Sequence, residues 1–442
     1  MAETAPGAGA LTSPRVLRIA APIVLANLTT PLLGAVDTGV VGQLGEAAPI
    51  GAVGLGAVIL TFFYWAFGFL RMGTAGLAAQ ALGAGEAREV VALLVRGLLV
   101  AGAAGLGLIL LQGPLFAAGF AVSPASEEVE GLARSYMEIR IWGAPAAIAA
   151  YAITGWLIAA ERTRAVLLLQ FVVNGVNILL DLWFVLGLGW GVEGVAVATV
   201  IAEWSGAFLG LWLCREAFRG AAWRDRALVL DGARLRRMAA VNGDILIRSI
   251  LLEIGVAAFV FRSAASGDVT LAANQVLMQF ILLASHALDG FAFAAEALVG
   301  KAMGGRNRAA LRRAAVLASL WAMAAAGLLS LIFLAAGPAI VALMTNAEPV
   351  RSAAGALLPF AAMAPVIAAP AFMLDGIFIG ATRTRDMRNA MIVSTALYLA
   401  LLFTVAPVFG APGLWCALLA YFGLRGVTLW RRYPALEAAA GP

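Results

Sequence analysis

The chain has 442 residues, 62% of them hydrophobic and only 12% charged, against about 25% charged in soluble domains. With a mean hydropathy of +0.94 it reads as an integral membrane protein, which excludes a soluble enzyme or binding domain. The net charge of +5 follows membrane topology and gives no reason to expect nucleic acid. Two cysteines in apolar stretches and a single histidine, His286, leave no basis for a disulfide framework or a multi-histidine metal centre.

The chain opens on small and polar residues, MAETAPGAGALTSP, which predict no cleavable signal peptide and a disordered cytoplasmic tail over residues 1–14. Apolar stretches between charged breaks then predict twelve spans. They cover residues 15–41, 50–72, 89–118, 131–159, 164–187, 193–218, 235–262, 269–299, 309–335, 352–380, 387–408 and 411–430. The resulting domains are a first lobe over 15–218, a cytoplasmic linker over 219–234, a second lobe over 235–432 and a cytoplasmic tail over 433–442. Of the 30 Lys and Arg residues, all but Arg134, Arg140, Arg248, Arg262 and Arg351 fall on one side of this arrangement. Basic residues collect on the cytoplasmic side, so both termini are expected inside the cell, with the chain in the inner membrane. The two halves repeat: the Arg-Thr-Arg of residues 162–164 recurs at 383–385, each time at a junction between spans. Duplicated six-helix bundles fit a transporter that alternates between inward-open and outward-open states.

Charges inside spans are costly and mark function by default. Span one, AAPIVLANLTTPLLGAVDTGVVG, carries Asp37 together with Pro22 and Pro31. The prolines remove backbone donors and permit bending. On span five, Asn174, Asn177 and Asp181 stand at i, i+3 and i+7, on one helical face, and span six offers Thr199 and Glu203 one turn apart. With Asp37 they define a polar pocket. Two carboxylates in a low-dielectric site cannot both ionise cheaply, so such a pair can take up a proton on one side and release it on the other. Asn174, Asn177, Thr199 and Glu203 can equally serve only to join helices.

Span seven carries Asp244, Arg248 and Glu253; span eight has Gln275, Gln279, His286, Asp289 and Glu296 along one stripe; span ten has Asp375. These residues suit either a structural network of Arg248 with carboxylates or a cation or substrate site. His286 alone is weak evidence for a pH sensor. Phe62, Phe63, Tyr64, Trp65, Phe67, Phe69 and Met72 cluster in span two. Rings such as Tyr64 can receive flat apolar cations, although aromatics more often face lipid or the interface. The sequence contains no Walker A motif, so ATP is not the direct energy source. No catalytic cluster is visible, and the chain is expected not to be an enzyme.

The segments PLLGAVDTGVVGQLG, FLRMGTAGLAAQALGAG, NILLDLWFVLGL, GVAVATVIAEW, ALDGFAFAAEALVGKAMG and MLDGIFIGATRTRDMRNAM resemble the multidrug and toxic compound extrusion (MATE) family, in its DinF branch. The resemblance runs from about Arg15 to Arg432. It implies an all-α membrane protein of twelve helices in two pseudo-symmetric bundles. It also implies an antiporter that exports organic cations and other amphiphiles against protons, or sodium ions in some members. The family's coupling acid falls on Asp37, its Asn-x-x-x-Asp pair on Asn177 and Asp181, its threonine on Thr199 and its helix-one proline on Pro22. The acids that sodium-coupled relatives use in the second lobe match Glu253 and Asp375. Arg248 and Asp289 complete a candidate second-lobe site, with Tyr64, Gln279 and His286 as candidate substrate contacts. In the mechanism this implies, protonation of Asp37 lets the first helix bend at Pro22 and expel substrate outward. No cofactor is expected beyond the coupling ion; the partners are small amphiphiles and the lipid bilayer, and the chain is expected to act as a monomer. The alternative is a lipid-precursor flippase of the same wider superfamily.

Overall fold

Apolar backbone in a bilayer can satisfy its hydrogen bonds only within helices or closed barrels, and this chain takes the first course. The computed structural model describes residues 11–43, 47–121, 125–404 and 406–441, and only the backbone at 30–35, 38 and 47. Most of the expected N-terminal tail, residues 1–10, and the side chain of Pro31 lie outside this description. No strand occurs among the described residues. The helices are α1 (Ser13–Gly42), α2 (Ala47–Trp65), α3 (Phe69–Gly83), α4 (Ala87–Leu110), α5 (Gln112–Ala121), α6 (Glu127–Arg140), α7 (Ala144–Ala159), α8 (Thr163–Asp181) and α9 (Gly191–Leu213). A four-residue turn, α10 (Arg226–Val229), leads to α11 (Gly232–Ala264), α12 (Asp268–Gly304), α13 (Arg308–Met344), α14 (Glu348–Gly380), α15 (Thr384–Thr404), α16 (Ala406–Trp430) and α17 (Tyr433–Ala438).

Ten stretches among the described residues are long and apolar enough to cross a membrane. In three places a stretch joins consecutive helices: Ala48–Gly83 takes in α2 and α3, Glu127–Ala159 takes in α6 and α7, and Ala406–Ala438 takes in α16 and α17. The first and seventh predicted spans fall on α1 and α11, helices of 30 and 33 residues that carry many of the candidate polar groups. α11 holds Arg248, Glu253 and Arg262 among its apolar residues, which lowers its hydropathy.

The chain forms two compact units. One comprises Leu25–Leu82 with Glu86–Leu246; the other comprises the chain up to Val24, Gly83–Gly85 and Ile247–Pro442. They differ from lobes drawn at the linker, because α1 and α11 are each shared between units. In the second unit, α1 lies against Gly290 of α12, where an added Cβ would meet the Val24 side chain and the Ala20 carbonyl. Glycine is what permits that approach. In the first unit, Asn242 of α11 comes as close to Gly73 of α3, and Arg237 Nη2 donates to Gln80 Oε1 at 2.9 Å. The second unit holds a core of small and aromatic side chains from α11 to α16, with Phe280 against Phe333 and Phe259 against Trp415 edge-on.

The expected linker, 219–234, and the expected tail, 433–442, both carry structure of their own. The linker is docked on the first unit. Arg96 of α4 is 1% exposed and donates to the Val229 carbonyl at 2.8 Å and the Leu228 carbonyl at 2.6 Å, while pairing with Glu89 at 2.6 Å. Glu89 also pairs with Arg234. Two aspartates shape the turn, Asp225 accepting from Leu228 N and Asp231 from Arg234 N. The backbone donors at the start of α11 hold the Asp231 carboxyl below its usual range. Its help to the α11 start is therefore complete above the ordinary carboxylate pKa and fades as pH falls through the lowered one. The C-terminal tail is a helix: Leu436 of α17 is fully buried and Glu437 pairs with Arg308 at 3.2 Å.

Replacing Arg96 by Leu removes the linker's anchor and leaves Glu89 short of a partner, a loss of about 3–5 kcal/mol for a broken buried pair. We expect faster tryptic cleavage at Arg224 and Arg226 and a lower Tm in detergent. Wild-type cleavage rates in that variant would show that the linker is held by other contacts.

Candidate functional site

In the first unit, α1, α8 and α9 bring four polar side chains together. The i, i+4 spacing on α8 aligns Asn177 with Asp181, and both are fully buried. Asn177 Nδ2 donates to Asp181 Oδ2 at 3.1 Å and to Thr199 Oγ1 at 3.3 Å, and Thr199 donates to the Val195 carbonyl at 2.9 Å. Asp37, near the end of α1, stands close enough to Asp181 for the two carboxyl groups to interact. Two carboxyl groups in such a setting are cheapest with one proton held between them. Asp37 Oδ1, Asp181 Oδ1 and Asn177 Oδ1 are buried and have no donor among the described residues. The cluster is therefore rich in acceptors, suited to hold a proton or a small hard cation. Just after Asp181 the helix widens, with Leu188 N bonded to the Trp183 carbonyl five residues back at 2.9 Å. Such π segments are frequent at functional sites.

One turn before Asn177 on α8, Asn174 donates to Thr29 Oγ1 of α1 at 2.9 Å and accepts from Gln170 at 2.9 Å. Glu203, one turn beyond Thr199 on α9, pairs with Arg140 at 2.8 Å. Arg140 also donates to Tyr136 at 3.3 Å, and its charge reaches Asp37 and Asp181. Tyr64 is buried and donates to the Arg140 carbonyl at 3.1 Å; its aromatic neighbour Phe62 is exposed. Charge partnership, rather than sequence spacing, links Arg140 to this region.

The second unit has a different centre. Asp375 of α14 is 6% exposed; its Oδ2 accepts from Arg248 Nη2 of α11 and, at 2.7 Å, from Arg425 Nη2 of α16. Arg425 is 2% exposed and lies about 5.8–5.9 Å from the Phe372, Tyr421 and Phe422 ring centres. Arg425, counted in the sequence with the cytoplasmic-side arginines, is buried in the second unit. As the single charge within α16, it carried a signal that an average over loops hides. Glu253 is exposed: at i+5 from Arg248 it points about 140° away around α11 and does not join the cluster. Gln279 is exposed, while His286 and Asp289 are half-buried on α12, and His286 Nδ1 is 2.8 Å from the Leu282 carbonyl. None of these three bonds to Asp375 or its arginines among the described residues.

Two matched segments, 22–183 and 245–404, fit the family model MatE, one in each half of the chain. The chain belongs to the MATE family, in its DinF branch. Among proteins of known name, it is 38% identical to DNA damage-inducible protein F of Escherichia coli over 435 residues, covering 94% of this chain and 91% of that one. A probable multidrug resistance protein NorM of Synechocystis is 29% identical over 448 residues, covering 94% and 93%. The fold matches solved MATE structures. A MATE transporter from Vibrio cholerae in its bent form superposes with a TM-score of 0.86 at 19% identity, covering 97% of each chain. A MOP superfamily transporter from Pyrococcus furiosus gives 0.83 at 20%, again over 97% of each. This MATE chain is thus an all-α membrane protein whose relatives are transporters.

The Arg140–Glu203 pair makes a direct prediction. Arg140→Leu leaves Glu203 buried without its partner and should destabilise the protein by about 3–5 kcal/mol, whereas Arg140→Leu with Glu203→Leu should recover most of that loss. Tm measurements on the three variants read the coupling; additive losses would show that the two side chains act independently.

Proposed function

We propose that this MATE chain is a proton-coupled antiporter that exports organic cations and other amphiphilic toxic compounds by alternating access. The single observation that carries this reading is the juxtaposition of the Asp37 and Asp181 carboxyl groups, each with a buried oxygen that has no donor among the described residues. Losing the shared proton places two like charges side by side in a low-dielectric setting, so proton loss and a change of helix position are coupled. Asn177 and Thr199 position Asp181; Asp37 is the group on α1 that moves. Pro22 stands two residues before the point where α1 passes from one compact unit to the other, a suitable place for the helix to bend.

Sodium is the less favoured coupling ion. The second-unit acid Asp375 is already neutralised by Arg248 and Arg425, and Glu253 does not reach it, so that pair offers no acidic cage. Two relatives are named multidrug resistance or DNA damage-inducible proteins, which supports toxic compounds as cargo and a transport role rather than an enzymatic one. The one-sided distribution of arginines supports an inner-membrane orientation with both termini in the cytoplasm. We take the monomer as the working unit.

The test is efflux of a fluorescent organic cation from proteoliposomes, with pH and sodium gradients imposed separately. A pH gradient alone should drive export, and Asp37→Asn should abolish the gradient-driven part while the variant inserts and melts normally. Export that needs sodium, or full pH-driven export by Asp37→Asn, would sink the mechanism.

A further inference from the structure

The second unit contains a charge imbalance that proton coupling does not use. Two guanidinium groups, Arg248 and Arg425, converge on one carboxylate, Asp375, and both do so through Nη2 on the same oxygen, Oδ2. Neither arginine closes its two-pronged fork on the carboxylate, although that is the geometry in which the pair is strongest. Arg248 Nε, Arg425 Nε and Arg425 Nη1 are buried with no acceptor among the described residues. No other carboxylate pairs with either guanidinium among those residues: on α11, Glu253 points away, and the half-buried Asp244, one turn before Arg248, makes its contacts elsewhere. In its ion pairs the cluster sets two guanidiniums against one carboxylate inside the membrane domain. An unpaired buried charge is among the most costly arrangements a protein can hold, and it persists where it serves binding.

The shape of the surroundings narrows the ligand. The rings of Phe372, Tyr421 and Phe422 surround Arg425, providing apolar and aromatic surface beside spare N–H donors. Arginine favours planar, two-oxygen anions. All three residues are buried, Arg425 the most deeply, at 2% exposed against 6% for Asp375 and 7% for Arg248. We infer that Arg248 and Arg425 form an anion-binding site, gated by Asp375, for the carboxylate of an aromatic or aliphatic amphiphile. The incoming carboxylate takes the free guanidinium donors, and Asp375 competes with it for them. This site is separate from the Asp37–Asp181 cluster, and the inference holds whatever ion drives export.

The experiment compares two probes that differ only in the head group, pyrenebutanoate and pyrenebutanol, on the full chain in an uncharged detergent. Binding is read by energy transfer from protein tryptophan to pyrene. The carboxylate probe should bind about ten-fold tighter than the alcohol, the worth of one charge-assisted hydrogen bond. Arg248→Gln should abolish that head-group preference, and Asp375→Asn should strengthen it by removing the competitor. A purely structural cluster predicts neither change. Because Arg425 lies deep in the core, Arg248→Gln and Asp375→Asn are the informative variants, with Tm confirming that each is folded. Displacement of the probe by dodecanoate but not by phosphatidylglycerol assigns the site to free amphiphiles, and displacement by both extends it to lipid head groups. Equal affinity for the two probes, or a preference that survives in Arg248→Gln, would overturn the inference.

Discussion

An ionised side chain in hydrocarbon must find a partner or give up its charge, and the interior of this protein is arranged around that demand. The first unit meets it in two ways within a short stretch of α8 and α9. Asp37 and Asp181 set two carboxyl groups beside one another, while Glu203 is matched with Arg140. The second unit meets it with two arginines on one aspartate. Pairing of the first kind leaves a group able to exchange a proton. Pairing of the second kind is permanent, because an arginine keeps its charge at any accessible pH. The two halves share an ancestral plan and yet put opposite electrostatics into it.

Much of this was legible before any coordinates. Asp37 is a lone acid in a proline-bearing span, and the Asn177, Asp181 and Thr199 positions follow from helical spacing, so the polar faces could be written down from periodicity alone. What periodicity does not convey is which face of one helix meets which face of another. Glu253 and Asp375 look equivalent as acids in spans, yet one turns outward and the other receives two guanidiniums. Arg425 was hidden for a related reason: a charge near the end of an apolar run reads as a boundary residue, and only the packing of α16 on α14 places it inside. Arg96 was obscured in the same way, by proximity to the charged loop that it in fact anchors.

The linker shows how a polar segment between bundles acquires structure without a core of its own. One buried guanidinium gathers two carbonyls and a carboxylate, and two aspartates set the turns by accepting backbone donors. Its order rests on directional bonds, which makes it sensitive to single substitutions in a way that the aromatic core of the second unit is not.

The sharing of α1 and α11 between the compact units has an evolutionary implication. The points at which the two helices pass from one unit to the other are separated by nearly the same distance along the chain as the two Arg-Thr-Arg motifs. The first helix of each repeat therefore supplies its opening turns to the body built by the other repeat. A half-length ancestor could complete such a body only by exchanging those turns with a second copy. Gene fusion would have turned an obligate swapped dimer into one chain, and the exchanged helices are what remains of that partnership.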